Sequence, residues 1–562
     1  MPENNRLINP PLANRGLRVR ELDGLSDREI VQRILDHDHP RELIQRLSEQ
    51  DFFWLVKKVG EEEYLPLLRL ATSEQRQYIL DLEIWEKDHL VEDAVFDWLS
   101  RLNSADNEDL VWWLFNEGEL LACHFLFRNI EILVREPDEE LDVTADFFTP
   151  DDTFYVRVIN PKYRDLIEDV IMNMFDEDST RARALLEELG GVIPPEIEEE
   201  IYRVRTIRLA EQGFLPFHEA MAVFSPLDPE SLRGTDGLTT SGTVDEETKG
   251  MVPVIPLHHG GSGTILMEAL HDAAHPELID RVRLEFAGLC NRIISADGLS
   301  HLEFDTLIEK CRKAAGYIQI ALEKLCGGEH DPALRLIREN SLESLFRVGF
   351  GFAVNLKREA RDWIDRSWFT GRKLETSFWG VPWGSLLTGL LHAKPHYFTG
   401  TGEKEYRDFE RTSELDETRT ALQHIMVLDD LLKRLDEDYH LGDSGGLPEE
   451  TTAHALIMTF WARRVLKIEP GFSPLSTGQA RSFFEHLRKG EPGAPFHMPG
   501  AEDLFVAEMT AYLADGSADR TRTLAGALSI LWNRFREEYE TVPSTALQGR
   551  YSRFIAISEP SE

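Results

Sequence analysis

Three stretches of the chain carry residue types at spacings that chemistry uses. His271, Asp272 and His275 lie within five residues. On a helix the two histidines fall one turn apart, a spacing that grips a divalent metal and lets the metal activate water. Ser444 sits in Gly442-Asp443-Ser444-Gly445-Gly446. A serine hydroxyl becomes a nucleophile when a histidine base and an orienting aspartate support it. The third stretch is basic and aromatic. Phe346–Lys373 holds Arg347, Lys357, Arg358, Arg361, Arg366, Arg372 and Lys373 against Glu359, Asp362 and Asp365, seven minus three, a local surplus of +4. Trp363 lies inside it, and Trp379 and Trp383 follow in SFWGVPWGSLLTGLLHAKPHYF. Arginine beside tryptophan makes a good contact surface, because the rings bury area and the guanidinium supplies charge. Arg347, Lys357, Arg358, Arg361, Trp363, Trp379 and Trp383 are therefore the candidate ligand or partner face over 346–398, with an anion as its ligand in the sensor reading. The alternative is that the arginines pair with the chain's many carboxylates and the rings fill the core.

The first two stretches meet objections. GDSGG resembles the nucleophile signature of trypsin-like serine proteases, a family that supplies its histidine upstream of the serine. Here the matching TTAHA, Thr451–Ala455, lies downstream, in helical surroundings. A helix ending near Tyr439 and His440, with Pro448 opening the next, is the better reading, and no catalytic residue is assigned. Leu270-His271-Asp272-Ala273-Ala274-His275 resembles the HD signature of metal-dependent phosphohydrolases and, with Asp for Glu, the HExxH zinc motif. Pro276 biases His275 away from helical geometry, which breaks the pairing of the two histidines. The resemblance also implies a separate histidine upstream and a distant aspartate. His258 and His259 stand in a Gly-rich stretch, and Asp280 and Asp297 have no supporting pattern. The expectation is a capped helix end without metal, with His271, Asp272 and His275 as the alternative metal site. Gly260–Gly263 lacks the lysine of a phosphate loop and reads as linker.

These stretches are set among helices. Ser48 can cap a helix carrying Phe52, Leu55, Val56 and Val59, stopped by Gly60. Thr72 with Gln75 makes a capping box ahead of Ile79, Leu80 and Leu82. Helices are expected at Leu110–Phe115, Leu120–Val134, Tyr163–Phe175, Ser179–Leu189 with Ser179 as cap, Pro195–Glu211 and Phe346–Ile364. Phe154–Val158 is the best strand candidate. The acidic stretch Glu136–Asp152 lacks the central glycine of a calcium loop and reads as solvated loop. Short helices with tight connections stack, since none buries its face alone. In 228–263 Gly, Ser, Thr and Pro displace the apolar period. The expected organisation is therefore a polar tail over 1–24, a helical-repeat domain over 25–227, a linker or mobile loop over 228–263, a larger helical domain over 264–545 and a tail over 546–562. The fold class is all-α.

LIQRLSEQDFFWLVKKVGEEEYLPLLRLATSEQRQYILDL, within 40–83, resembles the N-terminal superhelical repeat of bacterial magnesium transporters and the related repeats of flagellar motor switch proteins. The shared texture is Leu-x-x-Leu, an acidic cap, and Leu-x-x-Leu again. The resemblance implies a superhelical stack and nothing about transport. As a whole, with IRLAEQGFLPFHEAMAVFSPLDP at 207–229 as its most recognisable segment, the chain resembles an uncharacterised family of large acidic bacterial proteins.

Composition narrows the function classes. The 562 residues carry 61 Lys+Arg against 101 Asp+Glu, a formal net charge of -40. Such a surface repels a phosphate backbone, so nucleic-acid binding is not expected. No window of 18 consecutive apolar residues exists, so membrane insertion is not expected. Cys123, Cys290, Cys311 and Cys326 form no C-x-x-C pair. Scattered thiols in a large chain fit a reducing cytoplasm, and no secretory signal opens the sequence. The leading expectation is a cytoplasmic interaction or scaffold protein that binds protein partners and needs no cofactor. The metal-dependent phosphohydrolase at His271 and Asp272 is one alternative, and a sensor of anionic ligands at 346–398 is the other.

Overall fold

A computed structural model describes residues 19–136, 144–189, 196–232, 252–261, 263–271, 276–298, 302–400, 404–440, 451–488, 494–513, 517–547, 549 and 552–558. Helices dominate, and the strands form only small sheets. The chain divides into two compact units, Met1–Gly349 and Phe350–Glu562. The division falls inside a helix, not in the expected linker at 228–263. The reason is local: the apolar VPVIPL at the end of that segment, Val252–Leu257, is buried core, and His258–Gly261 continues as helix. The remainder of that linker, 233–251, lies outside the described residues.

The first unit opens with short helices: α1 (Val19–Asp23), α2 (Asp27–Leu35), α3 (Pro40–Gln45), α4 (Glu49–Val59), α5 (Leu65–Leu70), α6 (Ser73–Glu83), α7 (Glu92–Ala105), α8 (Asn107–Asn116) and α9 (Glu119–Asn129). From α2 to α7 each helix packs on the next but one: α2 on α4, α3 on α5, α4 on α6, α5 on α7. That alternation makes two layers of helices, the construction of a helical-repeat stack. The sequence sets each boundary. The Ser48 hydroxyl accepts the Asp51 N–H at the start of α4, and Gly60, at φ 79°, ends it. Thr72 and Gln75 exchange the reciprocal bonds of a capping box at α6.

Two expectations for this unit need correction. The helix expected over Leu120–Val134 stops at Asn129, because the alternating β-branched Ile130, Ile132 and Val134 favour extended backbone. After the two-residue strands β1 (Trp85–Glu86) and β2 (His89–Leu90), Ile130–Val134 becomes β3 and pairs antiparallel with β5 (Phe154–Val158), which also takes β4 (Phe147–Phe148) on its other edge. The second correction concerns α10 (Arg164–Leu189), which kinks at Asp178. The Asp178 carboxylate accepts the N–H groups of Thr180 and Arg181, so Asp178 and not Ser179 is the cap.

The rest of the first unit is α11 (Glu196–Glu211), a short turn α12 (Phe217–Ala220), α13 (Ile255–Gly261), α14 (Ile265–His271), α15 (Pro276–Asp297), α16 (Phe304–Cys326), α17 (His330–Glu339) and the first part of α18 (Leu342–Ile364). Gly260 is helical and pressed on α16: a Cβ there would lie 2.6 Å from the Cys311 carbonyl oxygen. One of the glycines read as linker is therefore a close helix contact.

The second unit contains α19 (Trp368–Gly371), α20 (Trp383–Leu391), a small hairpin of β6 (Tyr397–Phe398) and β7 (Tyr406–Arg407), and α21 (Thr412–Tyr439). Then follow α22 (Ala453–Val465), β8 (Leu475–Ser476), α23 (Thr477–Arg488), α24 (Ala501–Thr510), α25 (Ala518–Tyr539) and β9 (Ile557–Ser558), which pairs parallel with β8. Its core is aromatic. Trp461 meets Phe505, Phe483 and Trp532 at ring separations of 5.1, 5.5 and 5.9 Å. Helices of this length present rings from several turns to one another, and each such pair adds about 0.5–1.5 kcal/mol beyond the area it buries.

Candidate functional site

The proposed ligand or partner residues at 346–398 do not assemble into one face. Trp363, Trp379 and Trp383 are all buried. Trp363 stacks on Phe369 at 5.4 Å and tilts against Trp379 at 6.3 Å, while Trp383 meets His424 at 5.9 Å. They are core residues, because α18, α19 and the turn at Thr376–Trp379 close over them. Arg347 donates from Nε to the Ser225 carbonyl at 2.8 Å. Lys357 is buried, and its ammonium donates to the carbonyls of His392 and of Ala393, the latter at 2.7 Å. Burial, with Arg361 adding to it, lowers the lysine's pKa. Arg372 pairs with Asp436. Arg358, bonded to Asn355 at 3.2 Å, and Arg361 remain exposed on α18 beside the exposed Glu359 and Asp362. The surplus of +4 is thus dispersed: part of it holds backbone, part is paired, and the exposed remainder alternates with acids.

Of the alternative metal site only His271 lies among the described residues. His271 ends α14, with Nδ1 buried and without a hydrogen-bond partner among the described residues, and Asp272 and His275 lie outside them. His258 meets Asp23 at 2.8 Å, and His259 stacks on Trp54 at 5.9 Å. Burial pushes the His259 pKa down to about 4. Asp280 pairs with Arg283 at 3.1 Å and Asp297 with Lys310 at 2.6 Å, so both aspartates serve ion pairs. Among the described residues no three His, Cys, Asp or Glu side chains converge as a metal would require.

Gly442–Gly446 also lies outside the described residues. The downstream histidine of TTAHA can be placed. Thr452 caps α22 by accepting the Ala455 N–H, and His454 is buried against Phe554 at 4.2 Å. Burial, then Arg534, drives its pKa down to about 3. A ring so enclosed supports packing, not proton transfer to a substrate.

Three groupings had no signal strong enough to single them out. Asp51 on α4 is buried, and its carboxylate accepts the N–H groups of Val254 and Ile255 at the start of α13. Asp429 on α21 accepts those of Trp368 and Phe369 at the start of α19. Burial raises both carboxyls to about 6. The third grouping is a small half-open cavity among α5 to α8, lined by Leu68, Leu102 and Leu110 with Arg76, Asp106 and Trp113. Arg76 donates from one nitrogen to the Ala71 carbonyl at 2.9 Å and pairs with Asp109. Its Nε and the indole Nε1 of Trp113 are buried and have no acceptor among the described residues. The neighbouring Trp112 is 46% exposed. An apolar recess lined by two residues that each carry a buried donor without an acceptor is chemically suited to a small polar acceptor such as a carbonyl oxygen. The flanking Asp106 and Asp109 disfavour a carboxylate.

No helix among the described residues is long and apolar enough to cross a membrane. No curated protein and no solved structure matches the chain. The model of a family described as "Family of unknown function (DUF6178)" matches residues 12–558, nearly the whole chain, and the protein belongs to that family.

Proposed function

We propose that the protein is a cytoplasmic, non-catalytic interaction scaffold whose N-terminal helical stack docks another protein. The observation that carries this reading is the recess among α5 to α8. There Arg76 Nε and Trp113 Nε1 are buried donors without an acceptor among the described residues, next in sequence to an exposed Trp112. Unpaired buried donors cost about 1–3 kcal/mol each, and a partner's peptide carbonyl would relieve that cost on docking. An exposed tryptophan on the same helix, α8, fits an interface anchor. The alternating layers of α2 to α7 hold the recess on a rigid body. Four buried, unbridged cysteines suit a reducing compartment. A net charge of -40 favours a partner with a basic surface.

A photo-crosslinking amino acid at position 112, expressed in the native host, tests the reading. The expected result is one discrete protein adduct, lost when Trp113→Phe removes the indole donor and keeps a ring. No adduct, or an adduct indifferent to Trp113→Phe, overturns it.

A further inference from the structure

His392 and His396 frame the turn between α20 and the β6–β7 hairpin, and the turn holds them in a fixed relation. The Gly389 carbonyl accepts both of their backbone N–H groups, from His392 at 3.3 Å and from His396 at 2.9 Å. Position 389 must be glycine, since a Cβ there would lie 2.8 Å from the Tyr406 ring and 2.9 Å from the His396 carbonyl oxygen. Lys357 fastens the same turn from beneath through the carbonyls of His392 and Ala393. The Tyr406 ring packs on His392 at 5.0 Å. Both histidines are half-buried.

The two Nδ1 atoms lie 3.4 Å apart, and the ring centroids 5.3 Å apart at an interplanar angle of 69°. A hydrogen bond between two ring nitrogens is normally shorter, about 2.7–3.2 Å. If the two rings pointed straight at one another across that gap, their centroids would stand about 5.7 Å apart, so the measured 5.3 Å means that they meet at an angle rather than head-on. A tetrahedral ion bound through two imidazoles at about 2.0–2.1 Å sets its nitrogens about 3.4 Å apart and the ring centroids about 5.2 Å apart. Both separations in the turn agree with that figure.

We infer that His392 and His396 form a bidentate site for a borderline divalent transition ion such as Zn2+, Cu2+ or Ni2+. Imidazole nitrogen selects these ions over Mg2+ and Ca2+, which prefer oxygen. Because the protein supplies two ligands among the described residues, the remaining positions are open there to water or to an outside donor. The ion is therefore exchangeable and yields to chelators. This site is independent of the recess at Arg76 and Trp113, and it requires neither His271 nor the segment around it.

The full-length chain, stripped with chelator, is titrated with Zn2+ in competition with a chromophoric indicator. Wild type is expected to bind one Zn2+ more tightly than the His392→Asn/His396→Asn variant binds any. Each single substitution is expected to weaken that step about tenfold or more. An unchanged titration in the double variant overturns the inference, as does the absence of a site in wild type. A second measurement avoids dependence on the variants' folding. Wild type loaded with less than one equivalent of Cu2+ is expected to give an electron paramagnetic resonance spectrum with coupling to two imidazole nitrogens. A spectrum of oxygen ligation alone overturns the inference.

Discussion

Asp51 in the first unit and Asp429 in the second solve one problem in two ways. Each is a buried acid on a helix, and each takes two successive backbone N–H groups at the start of a short helix. Those amides belong to the orphan donors that every helix N-terminus exposes, and a carboxylate answers them with charge-assisted bonds. The difference lies in the oxygens. One oxygen of Asp51 accepts from both Val254, at 3.0 Å, and Ile255, at 2.9 Å, while its second oxygen also accepts from Val254 at 2.9 Å. Asp429 divides the work, with one oxygen for Trp368 at 2.9 Å and the other for Phe369 at 3.0 Å. Their surroundings differ as well. Arg283 favours the charge on Asp51, whereas Asp430 opposes the charge on Asp429 and Lys433 only partly offsets it. The first clamp also spans the longer loop, since about 200 residues separate Asp51 from Ile255, against about 60 between Phe369 and Asp429.

Removing either carboxylate has the largest expected effect. Asp51→Ala and Asp429→Ala each strand two buried N–H groups, at about 1–3 kcal/mol apiece, so each variant should lose about 2–5 kcal/mol of stability. Urea unfolding monitored by circular dichroism measures this. A loss below about 1 kcal/mol at either site would show that water replaces the carboxylate there, and the likeness between the two clamps would end.

The acid dependence comes next. Burial raises both carboxyls from the ordinary 3.8 to about 6. The folded chain therefore holds these protons more tightly than the unfolded chain does. Each group's contribution is most favourable below pH 4, declines as pH rises from about 4 to about 6, and is level above that, a span of about 3 kcal/mol per group. Other carboxylates respond in the opposite sense, among them Asp151, held low by its bonds to Phe154, Thr153 and Arg183. The test is thus the difference between wild type and the matching Asp→Asn variant across pH 4–6.5. Wild type should lose ground to the variant as pH rises, at both sites. A flat difference would mean that the carboxylate is not desolvated.

The oxygens give the sharper contrast. Asp51→Asn keeps an oxygen able to accept both amides and sheds a buried charge, but its NH2 group then stands where the second oxygen met the Val254 N–H at 2.9 Å, so at pH 7 it should cost about 1 kcal/mol. Asp429→Asn must turn an NH2 group toward one of two N–H donors and should cost about 2 kcal/mol. Equal effects of the two substitutions, read from denaturation midpoints, would erase the distinction between a shared and a divided acceptor.

The two clamps also mark where sequence reading ends. Ser48, Gly60, Thr72 and Gln75 were legible because a cap acts on its own helix within three or four residues. Phe154–Val158 was legible as a strand because its residue types favour extended backbone, whereas Ile130–Val134 was hidden behind the helix that runs into it. Asp51 looked like an ordinary first-turn acid, because its partners Val254 and Ile255 stand 203 and 204 residues away. The same distance hid the burial of Val252–Leu257, whose Gly- and Ser-rich flank suggested a linker. At 346–398 the sequence shows arginine beside tryptophan but not which of them is buried. A helix of period 3.6 places Trp363 inward and Arg361 outward only once its neighbours are known. His392 and His396 were in view within HAKPH, yet their convergence depends on a turn gathered around one carbonyl, which no periodicity announces.

The smallest effects separate Lys357 from Arg361, the pair that four-residue spacing puts on one side of α18. Lys357 is the cationic counterpart of the two aspartates: a buried charge that holds backbone, here the carbonyls of His392 and Ala393 in place of N–H groups. Carbonyls keep a second lone pair and tolerate loss of a donor better than amides tolerate loss of an acceptor. Lys357→Met keeps the aliphatic stem and should cost about 1–2 kcal/mol, less than either aspartate-to-alanine change. Arg361 is exposed on the same helix, so Arg361→Ala should stay within about 0.5 kcal/mol of wild type. Thermal melting of the two single variants and the double variant decides the matter. If Lys357 alone carries the loss, the double variant matches Lys357→Met, and the basic residues of this helix divide by burial. If Arg361→Ala costs as much as Lys357→Met, the exposed arginine is holding structure after all, and burial no longer sorts the charges of α18 into those that hold backbone and those that face solvent.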